Sequence, residues 1–382
     1  MRAVILLVLS GCTSLLGITD PTPATPNDGG PDSIIDSNID APPPCAPAVT
    51  LKAEVSSAIG ATGSDFAIGR FNNGLDEDIA IATGTNTTIL FGDRMGNFAG
   101  AKTVPTAGNA LAIGDWDQNV SSDDDFAMFT VGGTAVIARR QNRANDPPVE
   151  AEQPLMGPFT NVSHMFATEL ANLGGIDLLV YDDSGSRIFA ASGLTPGDFI
   201  RSVNVVAPVA DEPLLVQQVN GTGLFDIVFL NGATVKVSLE NAGIYGNPVN
   251  IATGANSKGI AFGKFDSDNL SDLVISTSMG LVLFRQNAAS PGTFTMHGMI
   301  SPVQSPVPML VGDVNGDSLD DIITPTAAIL QCAPPASGGA GTFTQVESLG
   351  TARPAKLVDI TGDGKADLVR IDGASVKVRA AQ

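Results

Sequence analysis

Histidine and cysteine are nearly absent: the chain has two His and three Cys in 382 residues. Chemistry built on an imidazole or a thiolate is therefore confined to a handful of positions. Basic residues are also scarce, 20 Lys and Arg against 40 Asp and Glu, giving a formal charge of −20. That balance argues against nucleic-acid binding, which needs cations to neutralise phosphates. It equally disfavours adsorption to anionic lipid through surface charge. Glutamate supplies only 8 of the acids and aspartate 32. Glu forms helices readily, whereas Asp favours turns and caps, so a helical protein is not expected. No apolar run approaches the ~20 residues that a membrane-spanning helix needs. The nucleophile elbow GxSxG, the P-loop, HExxH and CxxC are all missing.

What the chain does have is glycine and proline, 42 and 25 residues, with 43% hydrophobic residues. Turns should be frequent, and wholesale disorder is not expected. The composition suggests an acidic, turn-rich, all-β body. A chain of this length exceeds one ordinary core, so it should form either several domains or a repeat array.

The N-terminus begins Met1-Arg2, followed by an apolar run to Leu9 and then Ser10-Gly11-Cys12. A positive charge, a short apolar stretch and small residues before a Cys describe a secretory signal over 1–11. Leu9-Ser10-Gly11-Cys12 also resembles the bacterial lipobox, which implies lipidation at Cys12. The segment 12–48 is rich in Pro, Asp, Ser and Thr, including Pro42-Pro43-Pro44. It reads as a disordered tether. The body, 49–382, is then expected to be exported and to meet the membrane only through the lipid anchor.

Within the body one pattern recurs: an apolar strand, a polar loop, an Asp, and another apolar strand. The terminal Asp falls at Asp78, Asp125, Asp177, Asp226, Asp272, Asp321 and Asp367, at spacings of 46 to 52 residues. Four strands fit each period. In the fifth copy they are Gly259 to Phe265, Leu273 to Ser276, Leu281 to Arg285 and Thr293 to about Ile300. Four strands per 40–50 residues match a β-propeller blade, so the expected fold is a seven-bladed propeller of four-stranded blades. The last copy lacks a fourth strand, and an unassigned strand over 49–56 precedes the first copy. That strand is expected to close blade seven. Cys332 ends the third strand of blade six and Cys45 precedes the closing strand, on the same face of the ring. These two residues are a possible disulfide, the alternative being two free thiols.

The motifs Leu111-Ala112-Ile113-Gly114-Asp115-Trp116-Asp117, Ile260-Ala261-Phe262-Gly263-Lys264-Phe265-Asp266, Val311-Gly312-Asp313-Val314-Asn315-Gly316-Asp317 and Asp359-Ile360-Thr361-Gly362-Asp363-Gly364 resemble the FG-GAP/VCBS repeat family. This is the propeller type found at the head of integrin α-subunits. The resemblance spans the body and implies Ca²⁺ in loops with oxygen ligands at alternate positions. In copy six these are Asp313, Asn315, Asp317, the Leu319 carbonyl and Asp321. In copy seven they are Asp359, Thr361, Asp363, the Lys365 carbonyl and Asp367. Copy five keeps Asp266, Asp268 and Asp272 but has Lys264 in place of the first ligand. Copy two keeps Asp115, Asp117 and Asn119, and ends at Asp123 by spacing or at Asp125 by strand alignment. Copies one, three and four retain little beyond the terminal Asp, which there is read as a turn residue bonded to backbone amides.

Both histidines, His164 and His297, fall in predicted outer strands with no nucleophile motif nearby. The reading is a non-catalytic lipoprotein of the bacterial envelope, at the outer membrane or cell surface. It is expected to be a monomer that binds or scaffolds a protein or glycan ligand. The competing readings are an envelope glycan hydrolase or lyase with its site at the propeller mouth, and a periplasmic assembly factor.

Overall fold

A computed structural model describes residues 51–381 with interruptions, chiefly at 115–124, 131–135, 140–152, 155–158, 169–175, 192–198, 206–210, 302–308, 334–341 and 348–354. The signal segment 1–11 with Cys12, the tether 12–48 with Cys45, and the copy-two loop with Asp115, Asp117, Asn119 and Asp123 lie outside the described residues. The fold is all-β, with no helix among the described residues.

Among the described residues, thirty strands build seven four-stranded sheets and one small hairpin, Glu240–Asn241 with Ile244–Tyr245. All the pairings are antiparallel, as in sheet five: Ser257–Gly263, Asp272–Thr277, Leu281–Gln286 and Phe294–Ser301. In the first six sheets the strands follow chain order. The seventh combines Ala355–Val358, Asp367–Asp372 and Ser375–Arg379 with Val55–Ala58 from the other end of the body. That last strand starts later than the 49–56 expected from sequence, although the Lys52 amide already donates to the Ala380 carbonyl at 2.8 Å.

In the sheets whose burial is described, the second strand is the most buried. Asp272–Thr277 is buried at every position, and Asp226–Asn231 at all but its last. These strands read as continuous apolar runs because each of their faces packs against a different neighbour. Ile227 and Phe229 pack on Leu179 of sheet three, whereas Val228 and Leu230 pack on Leu273 and Ile275 of sheet five. Val274 faces the other way, to Ile322 of sheet six, and Ile323 in turn packs with Leu368 of sheet seven. Ala80 and Ile89 of sheet one meet Leu111 of sheet two, and Ala112 meets Leu178 of sheet three. The series ends where it began: Val369 and Ile371 of sheet seven pack with Ile79 and Ile81 of sheet one. Each such buried aliphatic side chain stabilises by about 1.5–3 kcal/mol.

Two hairpins depend on glycine. Asn231 pairs with Thr234, and Asp372 with Ser375, so Gly232-Ala233 and Gly373-Ala374 are the central pairs. Gly232 and Gly373 have φ of 62° and 59°, as a two-residue turn with Gly at its first central position requires. His164 is a correction to the sequence reading. It opens the first strand of sheet three, His164–Thr168, opposite Tyr181, and does not lie in an outer strand.

The Val55–Ala58 strand is held by more than its ladder. Glu54 bonds Arg370 at 2.6 Å and Lys377 at 3.1 Å. Ser57 Oγ accepts the Phe98 amide of sheet one, and Leu51 and Ile59 are buried in the flanking clusters. A chain beginning at Cys45 should therefore melt close to the full-length protein under reducing conditions. A chain beginning at Gly60 should lose at least about 5 °C, from two buried aliphatics at roughly 2–4 °C per kcal/mol. Differential scanning calorimetry of the two chains checks this.

Candidate functional site

The recurrent Asp opens the second strand in every sheet and pairs with the last residue of the first strand, as Gly69 with Asp78 and Gly263 with Asp272. Sheet two follows the same rule with Gly114 and Asp125. Asp125, and not Asp123, is therefore the repeat residue there.

The side chains of Asp78, Asp177, Asp226, Asp272, Asp321 and Asp367 are all 0% exposed. In Asp78, Asp226, Asp272, Asp321 and Asp367 one carboxylate oxygen accepts the amide seven residues back. These donors are Phe71, Val219, Phe265, Val314 and Ile360, at 2.8 to 3.2 Å. The other oxygen accepts an amide near the end of the third strand, from Gly92, Glu240, Gln286, Gln331 or Ala381, at 2.7 to 3.0 Å. One side chain thus ties the entry loop to two strands. The backbone-bonding role that the sequence suggested for the weak copies is seen in copies one and four, and it holds in copies five, six and seven as well.

Burial penalises these charges more than the amides relieve them. It pushes Asp78 and Asp272 up to about 6 and Asp321 up to about 7, with the neighbouring carboxylates Asp317 and Asp313 adding to the rise at Asp321. Asp226 and Asp367 are raised for the same reason.

Two glutamines extend the pattern between sheets, and nothing in the sequence motif announced them. The Gln286 amide N–H donates to Asp272 while its side-chain Nε2 donates to the Val219 carbonyl of sheet four. The Gln331 amide N–H donates to Asp321 while its Nε2 reaches the Phe265 carbonyl of sheet five at 3.3 Å. The available signal was a Gln at the end of the third strand in two consecutive copies.

The acidic loops differ from copy to copy. In loop 313–321, Asp313 accepts the amides of Asn315, Gly316 and Ser318, and Asp317 accepts that of Leu319. In loop 359–367, Asp359 accepts the amides of Gly362, Asp363 and Gly364, and Asp363 accepts that of Lys365. The Ala366 amide donates to the Asp313 carbonyl at 2.7 Å, so the two loops lie side by side. Copy five carries its own cation. Arg285 bonds Asp266 through both Nε and Nη2. Burial pushes Asp266 upward, but the Asp268 amide and the Arg285 guanidinium outweigh it and hold this carboxyl below its usual range. Lys264 is exposed, and its amide donates to Asp320 of the next loop at 2.6 Å.

The donor set of copies six and seven is all oxygen, which suits a hard cation. One observation fits that use directly. Thr361 Oγ1 is buried without a well-formed hydrogen bond, although it lies near enough to Asp367 to temper the rise of that carboxyl's pKa. As placed, however, no three His, Cys, Asp or Glu side chains converge into a metal-holding group among the described residues. The acids are folded onto backbone amides instead. Cys332 is disulfide-bonded, and its partner lies outside the described residues.

The raised aspartates fix a pH response. Their folded pKa values lie above the unfolded value of about 3.9. The stability they contribute is therefore complete below about pH 4 and is lost as pH rises through 6 to 7. In chelator, the melting temperature should rise as the buffer is taken from pH 8 to pH 5. Asp78→Asn should flatten part of this slope. It should also cost about 1–3 kcal/mol, since its amide nitrogen would face a backbone N–H. Thermal melts across pH check both effects.

No family model matches the chain, and no curated protein matches it. Solved structures do resemble it. One is an Agrocybe aegerita lectin described for specific recognition of non-reducing terminal N-acetylglucosamine, with TM-score 0.58 and 16% identity over 75% of this chain and 80% of that one. Others are structures of BBS1N in complex with ARL6DN. One has TM-score 0.54 and 13% identity, the other 0.55 and 11%, each over 88% of this chain and 98% of that one. At these identities the likeness concerns the fold, which is propeller-like.

Proposed function

We propose that the chain is an exported lipoprotein, anchored through Cys12, whose tether 12–48 carries a seven-bladed, non-catalytic propeller that binds a protein or glycan at the bacterial envelope. The seven sheets, their cyclic series of interfaces and the strand shared between the chain ends support the blade count. The observation that carries the binding reading is the propeller-like fold. It is shared with a lectin that recognises a glycan terminus and with BBS1N, which is seen in complex with a protein.

Calcium is the proposed cofactor, held first by Asp359, Thr361, Asp363 and Asp367 and next by Asp313, Asn315, Asp317 and Asp321, with the Lys365 and Leu319 carbonyls. The buried Thr361 Oγ1 beside Asp367 supports the copy-seven loop most. In copy five the ion pair of Arg285 with Asp266 already places a cation beside the acids, so Asp266, Asp268 and Asp272 rank behind the loops of copies six and seven as proposed ligands. Cys45 is the proposed partner of Cys332.

Calcium at about a hundredfold excess over its dissociation constant should add about 2.7 kcal/mol per site. The melting temperature should rise accordingly, and Asp363→Ala and Asp317→Ala should each remove part of the rise. Asp177→Ala should lower stability yet leave the calcium response intact. An unchanged melt in chelator, with no calcium found by elemental analysis, would count against the cofactor. A Cys12→Ser chain that stays in the membrane fraction would count against the anchor. Glycan-array and pull-down capture by the wild-type body tests the binding role.

A further inference from the structure

Among the described residues, the large apolar side chains most exposed to solvent are Met95, Val249, Met279, Met296 and Met299. Two of them, Met296 and Met299, lie on one edge strand, Phe294–Ser301, at 54% and 58% exposure. In a regular strand, residues three apart point to opposite faces. This strand is not regular. Met296 pairs with Phe284, Gly298 with Leu283, and Met299 with Val282, so His297 is an extra residue in the ladder. The bulge removes one step of alternation, as bulges do when they re-aim a side chain. Phe284 and Val282 share a face of sheet five, because both pack in the cluster with sheet four. Met296 and Met299 stand opposite them and therefore share that face. His297 lies between them and is also exposed.

We propose that Met296, His297 and Met299 form a surface site for a soft monovalent cation, copper(I), with silver(I) as its chemical surrogate. Thioether sulfur is a soft, polarisable donor that selects Cu(I) over hard ions such as calcium, and imidazole also suits copper. Two thioethers share one face of an open edge strand and the exposed imidazole lies between them in sequence, so these three donors are available to an ion without moving the core. Both methionines keep more than half of their surface exposed, and neither belongs to the buried clusters that flank sheet five.

The test uses the full chain with free thiols alkylated, so that cysteine does not compete. Silver(I) is titrated directly, and copper(I) under competition with a chromophoric chelator. One equivalent should bind, and the Met296 and Met299 ε-methyl NMR signals should shift while that of Met95 stays in place. Loss of a single outer partner of a metal ligand already costs about 10- to 100-fold in affinity. Met296→Leu with Met299→Leu should therefore weaken binding by at least about 100-fold, with an unchanged melting temperature. His297→Ala should weaken it less. Met95→Leu with Met279→Leu should leave it intact. Binding that survives in the Met296/Met299 double variant, or no binding by the wild type, overturns the proposal.

Discussion

A carboxylate with no solvent exposure is costly, and this fold places one at the start of the second strand of each sheet whose burial is described. The cost is met locally. In the five sheets where the bonds of this Asp are described, each oxygen takes a backbone N–H from a different segment, one from the entry loop seven residues back and one from near the end of the third strand. Asp suits the position for steric and electronic reasons. Asn would offer one acceptor where two donors converge, and Glu would overshoot both. With this pair of bonds in place, the loop length, the start of strand two and the end of strand three are set relative to one another. The apolar alternation that feeds the two flanking interfaces then falls into register.

The same bonds reach between sheets. Asp226 holds the Val219 amide, whose carbonyl accepts Gln286. Gln286 donates its own amide to Asp272, which holds Phe265. The Phe265 carbonyl accepts Gln331, which donates to Asp321. A continuous buried polar chain thus runs across sheets four, five and six beside the apolar interfaces. Hydrophobic contact alone tolerates sliding of one sheet on the next, whereas a Gln held at both ends does not.

The architecture was legible because its marker is a single residue with strict neighbours. An Asp followed by an apolar strand, seven times over, can be found without an alignment. Strand limits in the fifth copy, such as Leu281 to Arg285 against the observed Leu281–Gln286, differ by a residue or two. What escaped the sequence reading was contact across distance. Arg285 lies 19 residues beyond Asp266, in a different strand, so the loop motif alone made copy five look like a weakened cation site. Gln286 and Gln331 act on carbonyls 67 and 66 residues away. The bulge at His297 was equally hidden, since register slips follow from packing and leave no compositional trace.

The acidic loops show how one position serves two demands. The terminal Asp is committed to the backbone in every sheet where its bonds are described, so differences between copies rest on the earlier carboxylates. Copy five balances them with a guanidinium from its own third strand. Copies six and seven spread the charge over backbone amides, three around Asp313 and three around Asp359. Amide dipoles offset a carboxylate only in part, and Asp321 shows the remainder: burial first, then its two acidic neighbours, drive it up to about 7. Near neutral pH the copy-six loop therefore stores unfavourable electrostatic energy, and copy five stores some too, since Asp266 and Asp268 help to push Asp272 up to about 6. Either a proton or a cation relieves it, and the two relieve it with opposite pH dependence. Protons stabilise as pH falls, whereas cations bind more tightly as pH rises and the acids ionise. Melting curves in chelator and in calcium should therefore diverge with rising pH, and the size of that divergence measures how much of the loops' acidity a bound ion neutralises.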